Sequence, residues 1–504
     1  MNLKSMTSEK AVRNLFFAAS VLLLLMMAAA TLSRATWFDE AFSLELINNS
    51  FPKMIELAIP DVHPPLYYII LKIAVDTFGL LVPSLSENFV AKMVSLIPYI
   101  LLAALSMTKI RRIWGDICGA VYMFCMLSMP QFMYYGIDIR MYSWSLFFVT
   151  LSYLYAQEIM NGGKIKIKSW VLFSLFSVLA AYTHYYACVA VAVIYAFLAV
   201  WLFFSDKKSL KLWLAFSLAT IAAYAPWIKA LVIQVSTVSG EYWISPVTIR
   251  CVLDYTYFVM GPVKKLGLIP LAACAGCAVL FFKTKPPKNI KWIAVLGITV
   301  LVGTAVIGTA VSIIVRPVFF HRYLFPSLGC FWFFFAIALG RVFETKKVFA
   351  MIICAAFLVT GFYNGYNFAK EEITYYRNLQ EIKVAVEVIK DDDIIIANGP
   401  LLPGCVSYLT GQTVYYKGLD GKTFDEVQRV VLKHVENMPS IDEVNDLAGE
   451  NSTIWLFKDP KFDENAVIDA EFEENGMSLT EIGRYEFEQA PFTLYRAERL
   501  KNPE

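Results

Sequence analysis

Eleven stretches of this 504-residue chain are apolar runs of a length that crosses a bilayer as a helix, which takes about 20 residues. They lie near 12–32, 88–108, 113–133, 141–160, 169–184, 186–204, 210–230, 265–282, 292–315, 322–340 and 348–367. A helix satisfies its own backbone hydrogen bonds in lipid, so such a succession is expected to fold as a polytopic α-helical membrane protein. Composition agrees, with 58% of residues hydrophobic and 17% charged, against about half and a quarter in soluble domains. Tyr and Trp flank many of the runs, as an interfacial belt does. Ala28-Ala29-Ala30 closes the first run like a cleavage site, but the run is longer than a signal core and reads as an uncleaved anchor. No basic tract lies outside the short loops, so nucleic-acid binding has no support.

The segment Leu66–Leu81 decides the topology. It is apolar, but it is short, follows Pro64-Pro65 and carries Lys72 and Asp76, so it reads as a juxtamembrane helix. Eleven crossings then place the basic loops on one side, together with the N-terminal tail. These loops hold Lys109/Arg111/Arg112, Lys164/Lys166/Lys168, Lys207/Lys208/Lys211, Lys283/Lys285/Lys288/Lys291 and Arg341/Lys346/Lys347. By the positive-inside rule that side is cytoplasmic. Residues 33–87, 134–140, 231–264, 316–322 and everything after about 368 are then extracytoplasmic.

The tail turns charged from about Lys370. Asp393–Asn398, Thr413–Lys417, Thr453–Phe457 and Phe492–Ala497 read as strands, and Glu426–Glu436 as an amphipathic helix. The expected architecture is a membrane domain over 1–367, with juxtamembrane helices in its first outer loop (33–87), and a small extracytoplasmic α/β domain over 368–504. Asp391-Asp392-Asp393 reads as a solvated turn before a strand rather than a cation site. Cys274 and Cys277 form a C-x-x-C inside an apolar run with no partner pair nearby, and read as buried thiols. Asn48 and Asn451 match N-x-S/T, a pattern short enough to arise by chance.

Polar chemistry is concentrated in the first outer loop. Trp37-Phe38-Asp39-Glu40 is followed by Asp61-Val62-His63-Pro64-Pro65-Leu66, which brings three carboxylates and one of only four histidines into one loop. Two further stretches stand at span ends on the same side: Tyr134-Tyr135-Gly136-Ile137-Asp138-Ile139-Arg140-Met141-Tyr142 and His321-Arg322-Tyr323-Leu324-Phe325-Pro326. Together the four stretches resemble the GT-C superfamily of membrane glycosyltransferases, in particular the bacterial group around the protein O-mannosyltransferases and the lipid A aminoarabinose transferase. The resemblance covers most of residues 10–367, and its specificity lies in the four-part pattern.

The resemblance implies a GT-C-like fold and an inverting transfer of a sugar from a polyprenyl phosphate to an acceptor hydroxyl. A hydroxyl is a poor nucleophile and needs a base. In the family the first acid of the Asp-Glu pair is the presumed base, which carries over to Asp39. Glu40 is then a neighbour that orients acceptor or backbone, and ordinary helix capping is the plain alternative for the pair. A lipid phosphate leaves without an acid but needs cations to hold its charge, for which arginine is suited. Arg140, beside Asp138, and Arg322, between His321 and Tyr323, are the expected phosphate contacts, with interfacial anchoring as the plain reading and Arg316 as a competitor for Arg322. His63 either caps the following helix or donates to the phosphate, and Asp61 supports it. The expected substrate-binding set is Glu40, Asp61, His63, Asp138, Arg140, His321, Arg322 and Tyr323. His184 either lines a sugar pocket or is an interfacial histidine, and Glu241-Tyr242-Trp243 either stacks on a sugar or belongs to the aromatic belt. Asp39, Glu40, Asp61, His63 and Asp138 offer donors to a divalent ion, but arginines on a lipid phosphate make one unnecessary, so no metal or other cofactor is expected. The expected partners are the polyprenyl-phosphate sugar, the bilayer and an acceptor that the sequence does not name. The rival class is a transporter or lipid flippase, since charges at span ends also mark substrate paths. Against it stand the few mid-span charges and the absence of an inverted sequence repeat.

Overall fold

The computed structural model describes residues 3–32, 36–161, 166–237, 244–261, 266–418, 424–438, 452–461 and 465–499. Its helices are α1 (Leu3–Ala30), α2 (Phe38–Ile47), α3 (Phe51–Ala58), α4 (Leu66–Leu81), α5 (Glu87–Leu105), α6 (Arg111–Trp114) and α7 (Asp116–Ser128). There follow α8 (Pro130–Tyr135), α9 (Tyr142–Met160), α10 (Ile167–Ala181), α11 (Tyr185–Ser205), α12 (Leu210–Tyr224), α13 (Ile228–Thr237) and α14 (Arg250–Met260). The last are α15 (Leu268–Lys283), α16 (Lys288–Ile314), α17 (Phe325–Thr345), α18 (Lys347–Val386), α19 (Leu402–Thr410), α20 (Glu426–Val431) and α21 (Asn465–Glu474). Two compact units divide the chain: Met1–Thr31 with Ala58–Ala369, and Leu32–Leu57 with Lys370–Glu504. The first polar loop is therefore shared, its residues 32–57 going to the second unit and 58–87 to the first.

The eleven apolar runs are largely helical, though the run near 113–133 is divided among α6, α7 and α8 and that near 210–230 between α12 and α13. Among the described residues, seven helical stretches are long and apolar enough to cross a membrane: Glu9–Ala30, Glu87–Trp114, Tyr185–Ser205, Lys207–Ser236, Lys288–Ile314, His321–Thr345 and Lys347–Val386. The protein is an integral membrane protein. Asp116–Ser128, Ile167–Ala181 and Leu268–Lys283 are shorter apolar helices. The first of these is cut short because Met129 is extended ahead of Pro130, whose ring disfavours a helical residue before it. The Ser, Tyr and Gln residues of α9 lower its hydropathy, though it packs at the centre of the unit.

The first unit is built around α17, which packs against α7, α9, α15 and α16, with 89% of its apolar window buried. Close approach needs small residues: a Cβ on Gly297 of α16 would come within 2.5 Å of the Cys330 carbonyl oxygen of α17. The stretch Lys207–Ser236 is the opposite case, only 11% buried, and presents apolar side chains outward. At one end of the unit Asp116 takes Arg13 at 2.7 Å and Arg111 at 2.5 Å, and Lys109 meets Glu158 at 2.5 Å.

The second unit holds one six-stranded sheet, made of β1 (Ile394–Ala397), β2 (Val414–Tyr416), β3 (Val435–Asn437), β4 (Ile454–Lys458), β5 (Met477–Glu486) and β6 (Pro491–Arg499). The order is β3-β2-β1-β4-β6-β5, with β1 to β4 parallel and β5 and β6 antiparallel. Alternation sorts the two faces. Ile395 and Ala397 join Trp455, Phe457 and Leu494 in a core shared with Trp37 and Phe38 of the first loop. Ile394 and Ile396 join Ile454, Leu456 and Ala497 under Ile468 and Phe472 of α21.

Two expectations for this unit are corrected. The helix expected over Glu426–Glu436 stops at Val431, and Val435 instead pairs with Val414 as an edge strand; the β-branched Val430-Val431 pair favours that early stop. Asp393 does not belong to a solvated turn. It is buried and accepts the Thr453 N–H at 2.8 Å, the Lys390 N–H at 2.9 Å and the Trp455 Nε1–H at 2.8 Å, which fastens β1 to β4. Asp393→Ala leaves three donors unmet in a buried site, so we expect a loss of about 3 kcal/mol or more, read as premature proteolysis of the second unit on heating. A variant as resistant as the parent would show that those bonds are replaced by water.

Candidate functional site

Four loops of the first unit each feed the N-terminal end of a helix and place a basic or imidazole side chain one to three residues ahead of it. His63 precedes α4, Arg140 precedes α9, His184 precedes α11 and Arg322 precedes α17. Helix N-termini present unsatisfied N–H groups and the positive end of the peptide dipoles, so their convergence favours an anion.

Local sequence fixes each loop. Pro64-Pro65 stops α4 from extending backwards, and the Leu66 N–H donates to the Tyr182 carbonyl at 3.1 Å, tying the His63 loop to the His184 turn. Ile137, Ile139 and Met141 are fully buried and alternate with Asp138 and Arg140, so the turn ahead of α9 is pinned by its apolar residues. In the turn ahead of α11, His184 is extended and its Nδ1 accepts the Tyr186 N–H at 3.0 Å, an N-cap made by imidazole. Ahead of α17, Ser312 Oγ accepts the N–H groups of Val318 and Phe319 at 3.1 and 2.8 Å, and Tyr186 donates to the Val318 carbonyl at 3.0 Å.

The His63 and His184 rings lie 5.6 Å apart, and His184 also stands 5.8 Å from Tyr142 and 5.4 Å from Tyr323. Both histidines are held below the usual imidazole range. Burial is the main cause for each. Arg140 and Arg322 add to it at both rings, with His184 a further contribution at His63, and His184 is lowered to about 3. The electrostatic neighbours that act on these rings are therefore cationic. His63, His184 and Tyr323 line a cavity of about 370 Å³ with Val62, Tyr186 and Arg316. The lining also takes in Leu231, Gln234 and Val235 of α13 and Ile307 and Val311 of α16. Val235, Ile307 and Val311 are themselves exposed, so the cavity opens on the flank between those helices.

The remaining expected residues fall as follows. Arg322 lies over the Phe320 and Tyr323 rings, 5.7 and 5.9 Å from their centroids. His321, in the same turn, packs on Phe258 at 5.3 Å. Asp61 accepts the Tyr68 hydroxyl at 3.1 Å, and Asp138 is buried beside Arg140 in the chain. Arg316 donates to the Val235 carbonyl at 2.7 Å while lining the cavity. Asp39 and Glu40 belong to the second unit. Glu40 is fully buried and its Oε2 accepts the Trp37 N–H at 3.2 Å, so it serves its own helix end, and Asp39 stands partly exposed in the same first turn. Glu241-Tyr242-Trp243 and Asn451 lie outside the described residues. Among the described residues no three His, Cys, Asp or Glu side chains gather as metal ligands.

The sequence reading left one contributor out of the expected set. His184 is balanced between two roles by sequence; its place between His63, Tyr142 and Tyr323 comes from tertiary packing.

The arrangement is a GT-C fold, as the sequence resemblance implies. Its likeness is to the crystal structures of ArnT, the lipid A aminoarabinose transferase, from Cupriavidus metallidurans. The apo structure gives a TM-score of 0.62 at 11% identity over 96% of this chain and 97% of that one. The structure bound to undecaprenyl phosphate gives 0.62 at 11% over 95% and 97%. No protein-family model matches the sequence, and no curated protein matches it.

The lowered histidines make a signed prediction. Above pH 6.5 folded and unfolded chains both carry neutral rings. As pH falls from about 6.5 toward 3 the unfolded chain takes up a proton at His184 that the native one refuses, so stability drops by about 1.4 kcal/mol per pH unit for each such ring. We expect the melting temperature in detergent to fall between pH 7.5 and 5, and to fall less in His184→Asn, which keeps a capping oxygen without the titrating ring. Equal falls in the two proteins would remove His184 from this account.

Proposed function

We propose that the protein is a glycosyltransferase that moves a sugar from a polyprenyl-phosphate donor to an acceptor hydroxyl, with inversion, at the extracytoplasmic face of the cell membrane. Its N-terminus is then cytoplasmic and its second unit extracytoplasmic. The observation that carries this reading is that Arg140 and Arg322, each just ahead of a helix start, act on His63 and His184, which also precede helix starts and line a largely apolar cavity. A lipid phosphate has the matching form, with an anionic head, singly charged while it carries the sugar and more highly charged once the sugar has left, and a hydrocarbon tail. The likeness to ArnT, whose crystal structure holds undecaprenyl phosphate, supports the same ligand class.

On this reading Arg140 and Arg322 take the phosphate and hold the charge that grows as the sugar–oxygen bond breaks. His63 contributes hydrogen bonding, and the tail runs into the cavity toward the flank between α13 and α16. Asp39, the first acid of the pair, removes the proton from the acceptor hydroxyl as it attacks. Glu40 acts through the backbone of α2 and keeps that turn in place. Guanidinium groups already neutralise the leaving phosphate, so the chemistry is proposed to need no metal ion. The cell-envelope acceptor is a glycan, glycolipid or protein.

The test is release of polyprenyl phosphate from a panel of polyprenyl-phosphate sugars by the lipid-reconstituted protein, with envelope extract as acceptor. Asp39→Asn should lose about 100-fold or more in turnover while still binding the donor, and Arg140→Ala and Arg322→Ala should each weaken donor binding by about tenfold or more. Equal release by Asp39→Asn would remove Asp39 as base. No release from any donor, with lipid movement across the bilayer instead, would replace the transferase with a flippase.

A further inference from the structure

The His184 ring has two nitrogens, and the protein itself occupies one. Nδ1 accepts the Tyr186 N–H at 3.0 Å. A nitrogen that accepts a backbone N–H carries no proton, so the neutral ring must hold its proton on Nε2, which is then a donor. Nε2 is buried and has no hydrogen-bond partner among the described residues, on a residue 2% exposed that lines the 370 Å³ cavity. Folded proteins rarely leave a buried donor unmet unless something else uses it. The ring cannot turn to relieve this, since turning would break the cap of α11 and press on His63, Tyr142, Tyr186 and Tyr323.

The surroundings select the missing acceptor. Arg140 and Arg322 act electrostatically on this ring, and α11 turns its positive end toward the same turn. A sugar hydroxyl can accept a hydrogen bond, but a field of that sign favours an oxyanion. Resting on the donor reading above, we propose that His184 is a tautomer-locked, neutral hydrogen-bond donor to a phosphate oxygen of a lipid-linked ligand whose tail occupies the cavity. Held neutral, the ring has no second proton to release, so it stabilises the phosphate without protonating it. It is a positioning and recognition residue rather than a general acid.

Two substitutions separate cap from donor. His184→Ser keeps a strong capping oxygen and deletes the donor, whereas His184→Gln places an N–H near the Nε2 position and gives up the cap. Binding is measured in nanodiscs with undecaprenyl phosphate, with undecaprenol as the uncharged control, and with inorganic phosphate as competitor. We expect His184→Ser to keep its melting temperature and its undecaprenol affinity but to bind undecaprenyl phosphate about tenfold or more weaker. His184→Gln should recover most of that affinity while melting earlier. The opposite pattern, serine tolerated and glutamine weak, would reduce His184 to a cap and overturn the proposal. A wild-type protein with no preference for undecaprenyl phosphate over undecaprenol would overturn the donor reading itself. A wild type that prefers the phosphate, with a serine variant that prefers it equally, would overturn only the role of His184. Displacement by inorganic phosphate at matching concentration would replace the lipid-linked ligand with a free anion. Should the serine chain not fold, imidazole nitrogen NMR of the wild type decides: an Nε2–H signal shifted by undecaprenyl phosphate and not by undecaprenol supports the proposal, and one that ignores both refutes it.

Discussion

A guanidinium keeps its proton at every pH a protein meets, so Arg140, at 5% exposure, is a permanent charge inside an apolar unit. Much of the surrounding arrangement answers to that. Burial, with Arg140 and Arg322 adding to it, holds His63 and His184 below the usual imidazole range, so they add no further charge there. The chain holds the arginine turn with three fully buried apolar residues, Ile137, Ile139 and Met141, because a flexible loop would let the charge escape to water. Helix starts add positive potential where the arginines have already raised it. Asp138, buried two residues before Arg140, belongs to the same turn.

The membrane unit was legible in the sequence because a span announces itself by length and composition alone. The eleven runs are largely helical, and three of them start within a few residues of Tyr142, Tyr185 and Phe325, where aromatic clusters interrupt the apolar pattern. How many of them cross was harder to read, because α7, α10 and α15 are short and α9 is rich in polar residues. By sequence His63 reads as lying in the first outer loop ahead of a juxtamembrane helix and Arg140 and Arg322 as lying at span ends on the same side, and the four-part resemblance groups them. The tautomer of His184 was not available from sequence, since it depends on a single bond to Tyr186. In the second unit, short buried strands such as Ile394–Ala397 were visible as β-branched runs, whereas β5 (MSLTEIGRYE) mixes apolar and charged residues without clean alternation.

Sequence order also concealed where the Asp39 segment belongs. It follows the first span directly, yet its helix packs on α19 and α20, and Trp37 and Phe38 enter the same apolar core as Ile395, Val414 and Phe457. A Cβ on Gly404 would come within 2.8 Å of the Phe38 ring, so α19 meets this segment without room for a side chain. The acidic pair therefore owes its local geometry to residues more than 350 positions away. Glu40, spent on the Trp37 N–H, is part of that scaffold.

The open flank of the cavity, between Val235 on one helix and Ile307 and Val311 on another, has a kinetic meaning. A molecule that enters there comes from the hydrocarbon phase, so its supply is counted per lipid and not per litre. Diluting the bilayer with inert lipid slows such a protein, while diluting the vesicles in buffer does not. Saturation then depends on mole fraction and on lateral diffusion in two dimensions, and apparent affinities compare across preparations only when the lipid-to-protein ratio is held constant.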